Sequence, residues 1–347
     1  MNLTSLTLLR YQIPLDKLLP VGKQRIDTRE GLVLQATSGD QLHSVEIAPL
    51  SGIDIDGQAL GGFSQESLQE VSQCLLDSMN SLINQPIDKL LDLAEQTNLP
   101  SMAFGLSLLH AKLKGHLSHS RHNLHNSIPL LYRRQDEPIE HLTERVSQLA
   151  PSIHRVKIKV GQTSMEDEIQ LIHHVLAIRP DLKLRLDANQ AFELEQAIEF
   201  CACLPLDAVE YIEEPCKKAA DNQHLFNAIG IPYALDESLN DPNYQFSMLP
   251  GLTALILKPM LIGSIEHLQA LIDTAHSHGV RTIMSSSLET SLGIDALRVL
   301  SQALTPDEPP GLDTLSAFSS DLIVSSGKVR CLSAEELTLL GRLEAEV

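Results

Sequence analysis

Lys183-Leu-Arg-Leu-Asp-Ala-Asn189 is a short run of alternating aliphatic and charged residues that ends on an acid and an amide. Comparable runs occur before and after it, roughly every 22 to 28 residues, and each is followed by a longer segment of helical periodicity. The predicted strands cover residues 128–133, 155–160, 183–187, 208–213, 232–236, 254–258 and 280–284, with an eighth near Leu312. The repeat predicts an α/β protein with a parallel barrel, because a doubly wound sheet usually has about six strands and a glycine-rich phosphate turn, which this sequence lacks.

The amino-terminal part of the chain has a different pattern. Residues 3–9, 25–34 and 41–47 alternate like antiparallel strands, and helices are predicted at 64–80 and from Ile87 onward. Residues 21–31, with a glycine near each end, are predicted to form a mobile lid.

We therefore expect three parts along the chain. An α+β domain covers 1–103, a modified TIM barrel of (β/α)7β type covers 104–315, and a carboxyl-terminal segment, 316–347, returns to the α+β domain. Within that last segment, residues 335–343 are predicted to be helical.

Composition and charge exclude several classes of protein. The 347-residue chain is 43% hydrophobic and 20% charged, which predicts a globular protein. Its net charge of −19 repels phosphate backbones and anionic headgroups, so we expect neither nucleic acid nor membrane as a partner. The five cysteines contain no C-x-x-C and are interpreted as free thiols. Without a signal-like start or a long apolar run, the protein is predicted to be cytoplasmic.

The predicted strands end on charged residues, at the edge where a parallel barrel carries its functional side chains. Three consecutive strands end in Asp187-Ala-Asn189, Glu213-Glu-Pro215 and Asp236-Glu-Ser238. The strands on either side end in Lys157-Ile-Lys159 and Lys258-Pro259. Carboxylates on neighbouring strands, with no His or Cys among them, suit Mg²⁺. Side chains alternate along a strand, so one member of each acidic pair points inward, but the spacing leaves open which one.

This series of motifs resembles the muconate-lactonizing subgroup of the enolase superfamily. The resemblance covers nearly the whole chain, because the amino-terminal region is similar to that family's capping domain. The ligands that it implies for Mg²⁺, which Mn²⁺ can replace, are Asp187, Glu213 and Asp236, with Glu214 and Glu237 behind them. It also implies that Lys159 and Lys258 face each other across the substrate.

Three further motifs resemble the o-succinylbenzoate synthase family in its proteobacterial form. They are Thr28-Arg-Glu-Gly-Leu32, Ser285-Ser-Ser-Leu-Glu-Thr-Ser-Leu-Gly293 and Pro310-Gly-Leu-Asp-Thr-Leu315. The resemblance implies a carbon-oxygen lyase of menaquinone biosynthesis. Its reaction is the dehydration of 2-succinyl-6-hydroxy-2,4-cyclohexadiene-1-carboxylate to o-succinylbenzoate, by syn elimination of water through an enediolate.

The proposed chemistry gives the polar residues separate roles. A proton beside a carboxylate is weakly acidic, so its removal needs a base and strong stabilisation of the resulting anion. The family resemblance favours Lys159 as that base. Lys258 is expected to place its charge against the ring, and Lys157 to complement the substrate carboxylate. Neutral contacts with the substrate are predicted for Asn189, Ser285, Ser286 and Gly311.

Two rival functions remain open. Two lysines on opposite faces also suit an N-acylamino acid racemase or a dipeptide epimerase. Epimerases of the family typically carry a D-x-D motif near strand eight, whereas here Asp313 is followed by Thr314 and Leu315. A catalytically silent barrel that binds a partner would be expected to lack a ligand or a lysine. The expected partner is a small-molecule carboxylate, and the expected state is a monomer or a small homo-oligomer.

Overall fold

The computed structural model describes residues 1–21, 24–58, 60, 64–117, 127–132 and 138–345. The chain forms two compact units that alternate along the sequence. The first unit comprises Met1–His125, Leu257–Ile272 and Met284–Val347, and the second comprises Asn126–Ile256 and Asp273–Ile283. Residues 22 and 23 of the predicted lid, and the last residue of the predicted strand 128–133, lie outside the described residues. The domain boundaries given above stay a prediction.

The elements are numbered in chain order. The strands are β1 (Ser5–Val21), β2 (Gln24–Ser38), β3 (Gln41–Ile47), β4 (Gly52–Asp54), β5 (Leu130–Leu131), β6 (Arg155–Lys159), β7 (Lys183–Asp187), β8 (Val209–Glu213), β9 (Tyr233–Leu235), β10 (Leu252–Leu257), β11 (Arg281–Met284), β12 (Asp321–Leu322), β13 (Cys331–Leu332) and β14 (Thr338–Glu344). The helices are α1 (Leu68–Leu82), α2 (Lys89–Gln96), α3 (Pro100–Leu113), α4 (Ile139–Ser147), α5 (Met165–Ile178), α6 (Leu194–Ala202), α7 (Ala219–Ile229), α8 (Pro259–Ile262), α9 (Ile265–Ser277) and α10 (Ser291–Leu304). Within the described ranges, every helix is too short or too polar to cross a bilayer.

An antiparallel sheet forms part of the first unit. Its strands lie in the order β14-β1-β2-β3, and β4 pairs with β2. Leu9, Tyr11 and Ile13 alternate along β1 and pack with Val33 and Phe318 in one buried cluster. This alternation is what the sequence predicted for the capping sheet.

One prediction for the first unit is wrong, and the mobility of the expected lid stays a prediction. Residues 24–31 of that lid belong to β2, as the predicted strand 25–34 implied, and they pair with β1 from Val21 opposite Gln24 to Tyr11 opposite Gly31. The expected helix at 335–343 is a short 3₁₀ turn followed by β14, which pairs antiparallel with β1. The side-chain pattern of this tail fits either a helix or a strand. The tail forms a strand because the edge of β1 offers hydrogen-bond partners to its backbone.

Helix α3 is buried around most of its circumference. Such a helix packs closely where it carries a small residue: a Cβ built on Gly105 would lie 2.3 Å from Cγ1 of Ile47 in β3. Gly105 therefore permits the contact between α3 and the sheet.

Replacing Gly105 by alanine is expected to destabilise the protein by about 1 to 3 kcal/mol, the usual cost of overpacking a core. Urea unfolding measures this cost. Ile47→Ala removes the Cγ1 atom that a Cβ at residue 105 would meet. In that background, Gly105→Ala should therefore destabilise the protein much less. Equal costs in the two backgrounds would contradict this account of the packing.

A parallel sheet forms the core of the second unit. Its strands are hydrogen-bonded in chain order from β5 to β11. The register aligns Lys159 with Asp187, and Asp187 with Glu213. The carboxyl ends of β6, β7 and β8 therefore meet at one edge, as the strand–helix repeat predicted.

Candidate active site

A buried cluster of carboxylates surrounds Lys157 at this edge. Its Nζ lies 2.9 Å from Oδ2 of Asp187 and 2.5 Å from Oε2 of Glu213. Both acids are nearly inaccessible to solvent, at 4% and 2% exposed respectively. Lys157 thus bridges the ends of two neighbouring strands.

The charges in this cluster shift one another's protonation. Burial by itself lowers the pKa of Lys157, but the nearby carboxylates outweigh burial and hold this pKa well above its usual range. Burial raises the pKa of Glu213 to about 7. The charge of Lys157 opposes that rise, while Asp187 and Asp236 add to it. Lys157 therefore stays charged among these acids.

Lys159 belongs to a chain of hydrogen bonds that runs through Asn189. Its Nζ donates to Oδ1 of Asn189 at 3.1 Å. Nδ2 of Asn189 in turn donates to Oε1 of Glu237 at 2.9 Å. Asn189 has a φ of 43°, in the left-handed region that asparagine tolerates better than most residues. The turn after β7 thereby brings its amide to the lysine.

The two adjacent glutamates at the end of β8 lie in different surroundings. Glu213 faces Lys157, whereas the carboxylate of Glu214 accepts hydrogen bonds from the backbone N–H groups of Asp236, at 3.2 Å, and Ser238, at 3.1 Å. Glu214 also has a left-handed backbone, with a φ of 34°. Because of this turn, Glu214 supports the loop after β9 and does not join the cluster around Lys157.

The donors of the cluster fit a hard divalent cation. Asp236 is 1% exposed, and its charge acts on both Lys157 and Glu213, so three carboxylates share one neighbourhood. Buried carboxylate oxygens are the ligands that Mg²⁺ takes, and Lys157 balances only part of their charge. Among the described residues, no three acidic, His or Cys side chains already stand in metal-binding geometry. In this structure the ammonium of Lys157 bridges two of the acids.

The remaining predicted residues belong to the first unit. Lys258 follows β10 and occupies the N-cap position of α8. The backbone N–H of Ser286 donates to the carbonyl of Gly311 at 3.2 Å. A Cβ built on Gly311 would lie 3.2 Å from Oγ of Ser285, so a serine hydroxyl lies beside this glycine. Contacts of these residues with substrate stay a prediction.

Two matches to known families cover most of the chain. Residues 3–113 match the family described as MenC, N-terminal domain, and residues 139–329 match Enolase C-terminal domain-like. The o-succinylbenzoate synthase of Yersinia enterocolitica is 35% identical over 320 residues, 91% of this chain and 92% of that protein. That of Haemophilus influenzae is 34% identical, over 92% of both chains. The chain belongs to the o-succinylbenzoate synthase family of the enolase superfamily.

Solved structures agree with this fold. The o-succinylbenzoate synthase of Thermosynechococcus elongatus, solved with Mg in its active site, has a TM-score of 0.64 at 22% identity and covers 88% of this chain and 92% of its own. A dipeptide epimerase of Enterococcus faecalis has a TM-score of 0.75 at 17% identity, covering 100% of this chain and 98% of its own. Lyases and epimerases thus share this fold. The family of this chain is therefore identified by sequence identity and not by the fold.

Membership in the o-succinylbenzoate synthase family confirms the predicted enzyme class. The activity is that of a hydro-lyase, o-succinylbenzoate synthase activity in menaquinone biosynthesis. The fold prediction is also confirmed: an antiparallel capping sheet precedes a parallel β/α domain of the enolase carboxyl-terminal type.

Two supporting residues were missed from the sequence. Asn222 is fully buried in α7 and donates to Oε2 of Glu214 at 3.4 Å. Glu168 in α5 accepts from the backbone N–H groups of Gly161 and Gln162, each at 2.7 Å, and so fixes the turn just after Lys159. A polar residue at an inward position of an amphipathic helix is the signal that could have revealed Asn222, which shares its face with Leu225.

Proposed function

We propose that this chain dehydrates 2-succinyl-6-hydroxy-2,4-cyclohexadiene-1-carboxylate to o-succinylbenzoate by syn elimination, with Lys159 as the base. The observation that carries the proposal is the placement of Lys159 beside Asn189, at the same sheet edge as the buried acids around Lys157. A base and a strong local charge field at one edge are what abstraction of a proton beside a carboxylate requires.

One lysine accounts for both proton transfers. Neutral Lys159 takes the proton from the ring carbon that carries the carboxylate, and the electron pair of that C–H bond moves into the carboxylate to give an enediolate. The electrons then return to form the ring double bond while the C–O bond of the neighbouring carbon breaks. The ammonium of Lys159 protonates the departing hydroxide, so water leaves and the ring becomes aromatic. Transfer from one side chain requires both groups on the same face of the ring.

Two further lysines have electrostatic roles. Lys258 would hold its charge against the opposite face of the ring, as a cation over a π system. Lys157 would complement the substrate carboxylate, and its two bonds to Asp187 and Glu213 keep it charged for that role. Asn189, Ser285, Ser286 and Gly311 stay proposed contacts of the substrate.

Asp187, Glu213 and Asp236 would hold the metal, and Glu214 and Glu237 would support them. Bound there, Mg²⁺, or Mn²⁺ in its place, supplies the positive charge that stabilises the dianionic enediolate. The buried donor set described above supports this assignment.

The remaining parts of the proposal concern partners and location. A net charge of −19 favours a free small-molecule carboxylate over nucleic acid or a lipid surface as the ligand. We expect a cytoplasmic protein that is a monomer or a small homo-oligomer, and light scattering of the purified protein measures its oligomeric state.

An absorbance assay tests the reaction. Incubation of the cyclohexadiene substrate with the protein and Mg²⁺ should convert the diene chromophore to that of a benzoate. A constant spectrum at every enzyme concentration would refute the proposal. In the companion assay, an N-succinylamino acid is incubated in D₂O, where exchange with inversion would favour the racemase and inertness the synthase.

A further inference from the structure

Two motifs of the sequence meet in one buried network of the first unit. They are Thr28–Leu32 in β2 and Ser285–Gly293, which precedes and opens α10. Residues 285–290 of the second motif are called the serine segment below. Nothing in the proton transfer explains why charged residues of an antiparallel sheet are buried against this segment.

Arg29 is the first part of the network. It is fully buried, and its Nε donates to the carbonyl of Leu288 at 3.0 Å. Its terminal nitrogens donate to the carbonyls of Ala48 and Pro49, each at 2.8 Å. Leu288 has a φ of 64°, a left-handed conformation that leucine rarely adopts. The guanidinium therefore connects the sheet to a strained point of the serine segment.

Glu46 in β3 is the second part. Its Oε1 accepts from Oη of Tyr11 at 2.6 Å. Its Oε2 accepts from Oγ1 of Thr290 at 2.6 Å and from the backbone N–H of Gly293 at 2.9 Å. The backbone N–H of Thr290 also points at this carboxylate, at 3.1 Å. A buried negative charge thus binds the amino end of α10, where unpaired N–H groups favour an anion.

Two glycines of the motifs provide the space for these contacts. A Cβ built on Gly293 would lie 2.7 Å from Oε2 of Glu46. A Cβ built on Gly31 would lie 2.4 Å from Oη of Tyr11, the hydroxyl that donates to Glu46. Gly31 and Gly293, from two distant motifs, therefore both leave room for Glu46 to approach the amino end of α10.

The serine segment is also held from within. Glu289 is fully buried, and its carboxylate accepts from both the backbone N–H and the Oγ of Ser287, each at 2.7 Å. Arg29 and Glu46 bind the same stretch, at Leu288 and Thr290. The backbone of Ser287–Thr290 is therefore held from the buried side by hydrogen bonds to charged side chains. Bonds of this kind hold a loop in one conformation more firmly than neutral ones do.

We infer that Arg29 and Glu46 are positioning residues that fix the serine segment and so set the affinity for the substrate. The inference rests on the proposed function, in which Ser285 and Ser286 contact the substrate. It gives the antiparallel sheet a specific part in recognition, through the backbone of residues 287–290, while proton transfer is left to Lys159.

Glu46→Gln tests the inference, because both carboxylate oxygens accept hydrogen bonds and an amide must turn an N–H toward one set of donors. We expect KM to rise about 10-fold or more, the effect of a lost hydrogen bond to a charged group, with kcat changed less than about threefold. Glu66→Gln is the matched control: Glu66 is also buried in the first unit and accepts from the backbone N–H of Ser101, at the start of α3, at 2.8 Å. An equal loss of thermal stability in the two variants with KM unchanged in both would overturn the inference.

Hydrogen exchange provides a test that needs no substrate. In Glu46→Gln, and to a smaller extent in Tyr11→Phe, the amides of Thr290 and Gly293 should exchange faster by about 10-fold or more, while those of α3 keep their protection. Unchanged protection at these amides would refute the network. A wild-type protein that leaves the cyclohexadiene untouched would refute the proposed function, and exchange would still decide whether Glu46 fixes the segment.

Discussion

Replacing Lys159 by alanine is expected to lower kcat by about 10⁴-fold, the upper end of what a general base contributes. The effect should be that large because Lys159 is assigned both proton transfers, and alanine leaves no amine at position 159 to perform either one. The assay is the conversion of diene to benzoate at saturating substrate. A substrate deuterated at the carbon beside the carboxylate should slow the wild type if proton abstraction limits its rate.

The matched control is Lys183→Ala. Lys183 lies at the start of β7, where its Nζ donates to the carbonyl of Asp207 at 2.6 Å, so it is a lysine at the opposite end of the adjacent strand. This variant should keep wild-type turnover.

Substitutions of Lys258 provide an independent test of the assignment of Lys159 as the base. Lys258→Arg keeps a cation with a different shape and donor pattern, and should impair the rate for electrostatic reasons. If Lys159→Ala kept the wild-type rate and pH profile while Lys258→Ala lost the basic limb of that profile, the two lysines would have to exchange roles.

The sequence predicted the parallel part of the fold well because that part follows a local rule. Each strand–helix unit repeats the same pattern, and parallel pairing then brings Lys159, Asp187 and Glu213 to one edge without further information. The tail at 335–343 has no such repeat. The tail forms β14 because it pairs with the edge of β1, more than 300 residues earlier in the chain. A local sequence pattern carries no information about so distant a partner.

The details of the candidate site were less predictable for the same reason. Adjacent glutamates look equivalent in sequence, and only the left-handed turn at Glu214 separates it from Glu213. The bond between Arg29 and Leu288 joins residues 259 positions apart, so the role of that arginine could not be predicted from spacing. Gly311 was expected to contact the substrate, and within the first unit it lies beside Oγ of Ser285.

Removal of divalent metal is expected to abolish turnover, and Mg²⁺ or Mn²⁺ should restore it. Without the metal, the protein offers Lys157 as the partner of Asp187 and Glu213, and one ammonium cannot balance both these acids and a dianionic intermediate. The measurement is activity after exhaustive chelation and after each metal is added back. Full activity in chelated buffer would refute the metal assignment.

The two adjacent glutamates should differ in how strongly they affect metal affinity, which calorimetric titration of Mg²⁺ measures without substrate. Glu213→Gln removes a charge from the cluster around Lys157 and should weaken binding by more than about 100-fold, whereas Glu214→Gln should weaken it by about 10-fold, as for a residue that supports a ligand. The smaller effect follows because Glu214 accepts from the backbone N–H groups of Asp236 and Ser238, and a glutamine keeps one oxygen to accept from them. The two variants are matched in chemistry and position, so a general loss of charge would affect them equally. The opposite order would mean that Glu214, despite its backbone contacts, turns to the metal when the metal binds.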